Sequence, residues 1–322
     1  MLNWFVEGAP GSSTSGTLPD GESAVPSRDG WRPVSSRPHA RVTLCVDDFG
    51  LHEGVNNSVM MLAAIERVGA VSVLVDGSAA ESGAERLLSV VPSCSIHPDV
   101  GLHLNLSEAL APPLAATGKA PPYRAMNIRS LISMAYSRVL SESAMRKEIH
   151  RQCRRFEQLF KRQPDYVDGH EHVHTLPIVR EALLQVLTAR YGWQRPWLRR
   201  TRPPRGTRAV KPIVVASLGD RGMANLAQEQ GFIQNEHLLG VHAFTSDPLV
   251  FRDRLALWLR DACDGDLLMV HPSTWCSSSA SLMKERMTEH EVLASPGFER
   301  QLADSRVVLA RMKASERSVL AA

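Results

Sequence analysis

The sequence predicts an α/β protein built on a parallel sheet, and three observations predict it. From Arg41 onward, short apolar runs alternate with stretches of helical period, the mark of βα units. With 43% of its 322 residues hydrophobic, the chain can bury one large core. Acidic and histidine residues cluster just beyond or at the ends of the apolar runs, where parallel α/β sheets gather their ligands.

Val42 to Val46 reads as the first strand, and Val55, Val59, Leu62 and Ala63 recur at helical spacing before Gly69, a suitable C-terminal cap. Val71 to Val75 is the next strand, closed by Asp76-Gly77; Ala84 to Val90 is a helix and Val100 to Leu104 a strand. Met145, Ile149, Cys153, Phe156 and Phe160 form an apolar stripe on an otherwise charged helix over 142–161, which Pro164 follows. Tyr166-Val167 is a brief strand, and a helix runs from Pro177, a favourable first-turn residue, to Arg190. Asp220 caps a helix ending near Gly231, and Asp247-Pro248 opens one through Ala262. Leu267 to Val270 is a late strand ending in His271-Pro272, and the tail from Ser281 is mostly helical.

Residues 1 to 39 are rich in Gly, Ser and Pro, with too few apolar positions to offset the entropy of ordering. They read as a flexible leader to a single catalytic domain over residues 40 to 322. A balance of 37 basic against 34 acidic residues argues against a dedicated nucleic-acid binder. Five scattered cysteines, without a Cys-x-x-Cys pair, fit a reducing cytoplasm. No run approaches the roughly eighteen apolar residues of a membrane span.

Three segments carry the chemistry: Asp47-Asp48-Phe49-Gly50, Gly101-Leu102-His103-Leu104-Asn105, and Asp168-Gly169-His170-Glu171-His172-Val173-His174. Carboxylate and imidazole together suit zinc, manganese, iron or magnesium, with positions left for a water and a substrate oxygen. Neighbouring strand residues point to opposite faces, so Asp47 and Asp48 share a cavity only if the chain turns at once; Phe49-Gly50 supplies a turn. One carboxylate can then bind metal while the other takes a proton from water. His271, after Leu267-Leu268-Met269-Val270, is placed to protonate a leaving group. Gly-x-Ser-x-Gly, Walker and Gly-x-Gly-x-x-Gly motifs are missing, which weakens serine hydrolase, kinase and dehydrogenase readings.

His170-Glu171-x-x-His174 matches the metallopeptidase signature, which works only on a helix. Gly169, Val173, Thr175 and Pro177 argue against a long helix there; in extended backbone His170, His172 and His174 would alternate onto one face. Arg195, Arg199, Arg200, Arg202, Arg205, Arg208 and Lys211 crowd a Pro-rich connection near Trp193 and Trp197, either a solvated loop or a clamp for an anionic substrate group.

Taken in order, Val46-Asp47-Asp48-Phe49-Gly50-Leu51, Gly101-Leu102-His103-Leu104-Asn105-Leu106, Asp168 to His174 with Leu176-Pro177, and His271-Pro272 resemble the YdjC-like (ChbG/HpnK) carbohydrate deacetylases over about Arg41 to Met312. The resemblance implies a deformed (β/α) barrel of the glycoside hydrolase/deacetylase type, with its metal site at the C-terminal ends of parallel strands. It implies removal of acetyl groups from N-acetylated sugars, chito-oligosaccharide-like or related, with one divalent ion, Mg2+ or Zn2+. Asp48, His103 and His170 would hold the metal, Asp47 would be the base and His271 the acid. His172, His174, Asn105 and Arg199 are candidate substrate contacts. The implied partners are a saccharide and, among relatives, a second copy in a homodimer. Val46, where the family has a small residue, and Ser273-Thr274-Trp275 depart from the pattern.

Two other classes remain open, a zinc peptidase using His170, Glu171 and His174, and a non-catalytic binder of anionic polymers using the Arg195 to Lys211 segment, marked by steep salt dependence. Glu171→Gln separates the enzymes: acetate release should stay near wild type, whereas a peptidase would be silenced.

Overall fold

The computed structural model describes residues 39–108, 110, 126–275 and 282–312. Apart from His39, the expected leader lies outside the described residues, as does Cys276. In chain order the elements are β1 (Ala40–Phe49), α1 (Glu53–Ala64), β2 (Ala70–Val73), α2 (Ala80–Val90), β3 (Asp99–Leu104), α3 (Ile128–Tyr136), α4 (Glu142–Phe160) and β4 (Tyr166–Gly169). Then come a 3-10 segment (His170–Thr175), α5 (Val179–Tyr191), β5 (Trp197–Leu198), α6 (Val210–Ser217), α7 (Asp220–Glu229), β6 (Leu238–Leu239) and α8 (Pro248–Arg260). β7 (Asp266–Val270), α9 (Met283–Ala294), α10 (Pro296–Asp304) and β8 (Val307–Leu309) complete the described fold.

Every strand pairing is parallel, along the path β5-β4-β3-β2-β1-β7-β6, with β8 also paired to β1. The two ends of that path meet. Leu198 N–H donates to the Ile233 carbonyl at 2.9 Å and Leu238 N–H to the Arg202 carbonyl at 2.7 Å. The sheet thus curls into a deformed barrel wrapped by helices, and its strand carboxyl ends converge on one mouth. One face of these strands is apolar, with Val42, Leu44, Val46, Val71, Val73, Leu102, Val167, Leu268 and Val270 buried together, while the alternate positions bring Asp47, Ser72, His103 and Asp168 to the other face.

The expected strands and the helices α1, α2, α4, α7 and α8 occur with shifted ends. The Asp247 carboxylate caps α8 through the amides of Leu249 and Val250. The helix expected from Pro177 begins at Val179, because Ile178 adopts φ 69°, outside helical space. Asp220 opens α7 without capping it; its carboxylate accepts the Thr201 amide, and Gly219 holds the cap position. The helices α3 and α6 and the short strands β5, β6 and β8 escaped the sequence reading. The supposed Pro-rich loop therefore contains β5, which extends the barrel, and the first residues of α6. Among the described residues no helix is long and apolar enough to cross a membrane.

One packing contact fixes the floor of the mouth. A Cβ at Gly101 of β3 would lie 2.5 Å from the Tyr166 ring, which stacks on Trp197 at 4.2 Å between centroids. Gly101→Ala is expected to cost about 1–3 kcal/mol through overpacking. This would show as a lower urea midpoint with an unchanged slope; an unmoved midpoint would contradict the contact.

Candidate metal centre

The turn that brings two adjacent aspartates to one mouth is not at Phe49-Gly50 alone. Asp48 itself has φ 66°, and the register of β1 on β2 slips there: Val46 pairs with Val71, but Phe49 with Val73. Three residues of β1 thus face two of β2, a bulge that breaks strict alternation. Aspartate tolerates left-handed backbone better than most residues, and Gly50 at φ 91° completes the bend.

Asp48, His103 and His170 are buried, and one ligand atom from each lies within 4.8 Å of the other two. Asp48 Oδ1 is 2.9 Å from His170 Nδ1 and 3.4 Å from His103 Nε2. Asp168 Oδ1 backs His103 on its other nitrogen, 2.7 Å from Nδ1, whereas the half-exposed Glu108 only approaches His170, with Oε2 2.9 Å from Nε2 outside hydrogen-bond geometry. Such backing orients a lone pair toward a cation and raises ligand basicity. Burial works against protonation, but the Asp168 and Asp47 charges outweigh it and raise His103 to about 9. Burial is likewise overcome at His170, which Asp48 and Glu108 lift to about 10.

Asp47 belongs to a second layer. Arg199 grips it with two arms, Nη1 to Oδ2 and Nη2 to Oδ1, both at 2.6 Å, and Arg199 Nη2 also reaches Asp168 Oδ2 at 2.5 Å. Burial favours the neutral acid, but Arg199 and the nearby histidines hold the Asp47 carboxyl well below the usual range. Cys45, Asp47 and Asp168 form another group of metal-ligand types, yet the guanidinium fills it, with Nη2 3.0 Å from Cys45 Sγ. Tyr166 OH, 2.7 Å from Ser72 Oγ and 3.1 Å from Cys45 Sγ, closes this network underneath. Burial pushes the Cys45 thiol up to about 12, so it stays protonated.

His271 faces this layer, with Nε2 3.9 Å from Asp47 Oδ2, as does His103 Nε2 at 4.0 Å. The Glu289 carboxylate of α9 accepts the His271 backbone N–H at 2.6 Å, and the rings of Phe244 and His271 meet edge to face at 5.2 Å. Burial, only partly opposed by Asp48 and Asp47, pushes His271 down to about 4, so its resting state is neutral. One turn earlier on α9, Arg286 donates through Nη2 to Asp48 Oδ2. Neither Arg286 nor Glu289 was singled out from the sequence. Both are buried on a helix whose charges resemble those of a solvated tail, and only their i, i+3 spacing places them on one face.

Several expectations are corrected. Glu171 and His172 have left-handed dihedrals inside a 3-10 segment, so residues 170–175 are neither the helix a peptidase needs nor the extended strand that would align three histidines. Glu171 instead accepts the Ser107 hydroxyl at 2.7 Å. His174 turns into the core, its Nε2–H donating to the Arg199 carbonyl at 2.9 Å, and burial lowers it to about 4. His172 is partly buried, its imidazole pushed well down by burial and then by Arg199. The Asn105 side chain folds back, accepting the amides of Ser107 and Glu108 and donating to the Glu108 carbonyl. Arg199 is fully buried against carboxylates, so it offers no open fork to an anionic substrate. Of the remaining basic cluster, Arg195 donates to the Gly192 carbonyl, Arg200 pairs with Asp220, and Lys211 donates to the His242 carbonyl. Arg202 and Arg205 line a separate cleft of roughly 530 Å3 beside Trp258.

The family model described as YdjC-like protein matches residues 41–304. A mouse protein named carbohydrate deacetylase is 34% identical over 168 residues, 48% of this chain and 49% of the relative. An Enterobacter chitooligosaccharide deacetylase is 28% identical over 146 residues, 45% of this chain and 54% of the relative. The matched part of the chain thus spans about half the length of these curated relatives. A crystal structure of an Enterococcus faecalis protein named for cellobiose-phosphate cleavage superposes with TM-score 0.64, at 16% identity, over 86% of this chain and 99% of that one, and shows the same fold. With the family model matching most of its length, the chain belongs to the YdjC-like family.

Proposed function

We propose that this chain is a metal-dependent carbohydrate N-deacetylase that hydrolyses the acetamido group of an N-acetylated sugar, of chito-oligosaccharide or related type, to acetate and a free amino sugar. The observation that carries this reading is the gathering of Asp48 Oδ1, His103 Nε2 and His170 Nδ1 around one point, with Asp47 and His271 facing the same space. The names of the aligned relatives supply the substrate class.

The residues present fit one divalent ion. Three buried donors converge, the His103 imidazole is carboxylate-backed, and the other cluster of ligand types is already filled by a guanidinium. One oxygen and two nitrogens suit Zn2+ or a similar transition ion better than Mg2+, which favours an all-oxygen shell. When bound, such an ion lowers the pKa of a water and polarises a carbonyl oxygen.

The chain's own groups do the rest. Asp47, kept ionised by Arg199, accepts the proton of the attacking water as its oxygen bonds to the acetyl carbon. Because Arg199 occupies both oxygens, the base keeps one orientation. His271 is neutral at rest and gains within the cycle the proton it gives to the amine nitrogen as the C–N bond breaks; Asp47 Oδ2, 3.9 Å away, is a near source. A cytoplasmic setting is part of this proposal, supported by four free cysteines among the described residues.

His103→Ala should abolish stoichiometric metal uptake. Asp47→Asn should retain the metal and lose turnover by on the order of 10²–10⁴-fold; undiminished acetate release would refute its role. The pH dependence of uptake is a separate check. In the metal-free protein His103 (about 9) and His170 (about 10) carry protons that an ion must displace, so affinity should climb with pH and level off above these values. Those protons also stabilise the metal-free fold, fully below the ordinary value of 6.5 and progressively less as pH passes 9 to 10. Zinc titrations at acidic and alkaline pH giving one affinity would contradict this.

A further inference from the structure

We infer that Arg286 is a positioning residue of the metal centre: it ties off one oxygen of Asp48, makes this carboxylate a one-oxygen ligand, and sets beside the ion a positive charge that weakens its hold. The inference rests on the metal-site reading above.

The geometry divides the Asp48 carboxylate cleanly. Oδ1 faces His170 Nδ1 at 2.9 Å and His103 Nε2 at 3.4 Å, whereas Oδ2 accepts Arg286 Nη2. Both side chains are about 1% exposed, so water cannot take over either role. A free carboxylate beside a cation can bind through both oxygens; one whose second oxygen is held by a guanidinium cannot do so without breaking a buried, charge-assisted bond. Arg286 is itself fixed through its backbone, since its carbonyl accepts the Ser273 N–H at 3.0 Å and α9 continues to Glu289, which holds His271. Its backbone is thus pinned, and the guanidinium can leave Asp48 only by breaking a buried, charge-assisted bond.

Charge points the same way. Asp47, Asp48 and Asp168 carry three negative charges, and Arg199 and Arg286 return two positive ones, leaving this inner group at −1 with neutral imidazoles. Without Arg286 the same group would stand one unit more negative and attract a cation more strongly. Like charges a few ångströms apart in a buried site repel strongly. The ion then keeps more of its own charge for substrate carbonyl and water, at the expense of affinity.

Calorimetric titration of metal-stripped protein with ZnCl2 tests this, with His103→Ala as the baseline for adventitious zinc. Arg286→Gln removes the charge and should bind zinc at least tenfold tighter than wild type while turning over more slowly. Arg286→Lys keeps the charge and should stay within about threefold of wild-type affinity. A merely structural arginine would give the opposite result, with weaker binding in Arg286→Gln, and either that or no change overturns the inference. Should Arg286→Gln not fold, the zinc-loaded wild-type crystal structure decides: Asp48 bound through Oδ1 alone, with Arg286 still on Oδ2, sustains the inference, and a bidentate Asp48 ends it. Wild type binding no more zinc than His103→Ala would remove the metal-site reading itself, and this inference with it.

Discussion

Two neighbouring carboxylates in a protein interior lose their water and repel each other, and Asp47 and Asp48 are 2% and 0% exposed. Each is tolerable only because a different arginine neutralises it, Arg199 for Asp47 and Arg286 for Asp48. The arginines arrive from opposite parts of the chain, one just after β5 and the other on α9. The bulge at Asp48 is what lets both carboxylates face the mouth while pointing to separate partners. Remove the bulge and alternation would send one of them into the helix layer with no cation to meet it.

The barrel serves this pairing. Arg199 is delivered by β5, whose position depends on the stack of Tyr166 on Trp197 and on the indole N–H of Trp197 donating to Asp99 Oδ2 at 3.1 Å. Asp99 in turn receives Arg311 and the Met312 amide, so the far end of the described chain is tied to the base of β3. His174 adds a direct strap to the Arg199 carbonyl. A histidine that resembles a ligand in sequence is thus a support for the residue that holds Asp47. The polar floor of Cys45, Ser72, Tyr166, Asp168 and Arg199 is cross-linked by hydrogen bonds, with Arg199 Nε left without a partner, so further loss within it is costly.

Burial disfavours the protonated form of each of these histidines, and the groups beside each decide whether it is overcome. His103 and His170 touch carboxylates and carry protons; His271 lies 3.9 Å from the Asp47 oxygen and is neutral. The proposed reaction needs this division, with two imidazoles offering lone pairs to a cation and a third free to pick up and release a proton. Glu289, holding the His271 amide, and Arg286, holding Asp48, place both halves under the control of one helix.

Much of this protein was legible in one dimension. The apolar runs of β1, β2, β3 and β7 and the stripe of α4 announce themselves because burial imposes period and composition locally. Asp47, Asp48, His103, His170 and His271 stood out because each sits where a strand stops, and the structure does gather them. The rest depended on closure. Strands of two residues, β5 and β6, carry no period to read, and the left-handed turns at Asp48, Glu171 and His172 are fixed by packing that no local pattern announces. Arg199 meets Asp47 across 152 residues and Arg286 meets Asp48 across 238, so the sequence marked Arg199 only as one of a basic cluster and a candidate substrate contact, and Arg286 not at all. The sequence by itself determined which groups could do chemistry and at which strand ends they would stand. Only the tertiary structure decided which cation neutralises which carboxylate, because that choice belongs to the closed barrel and to no local stretch of chain.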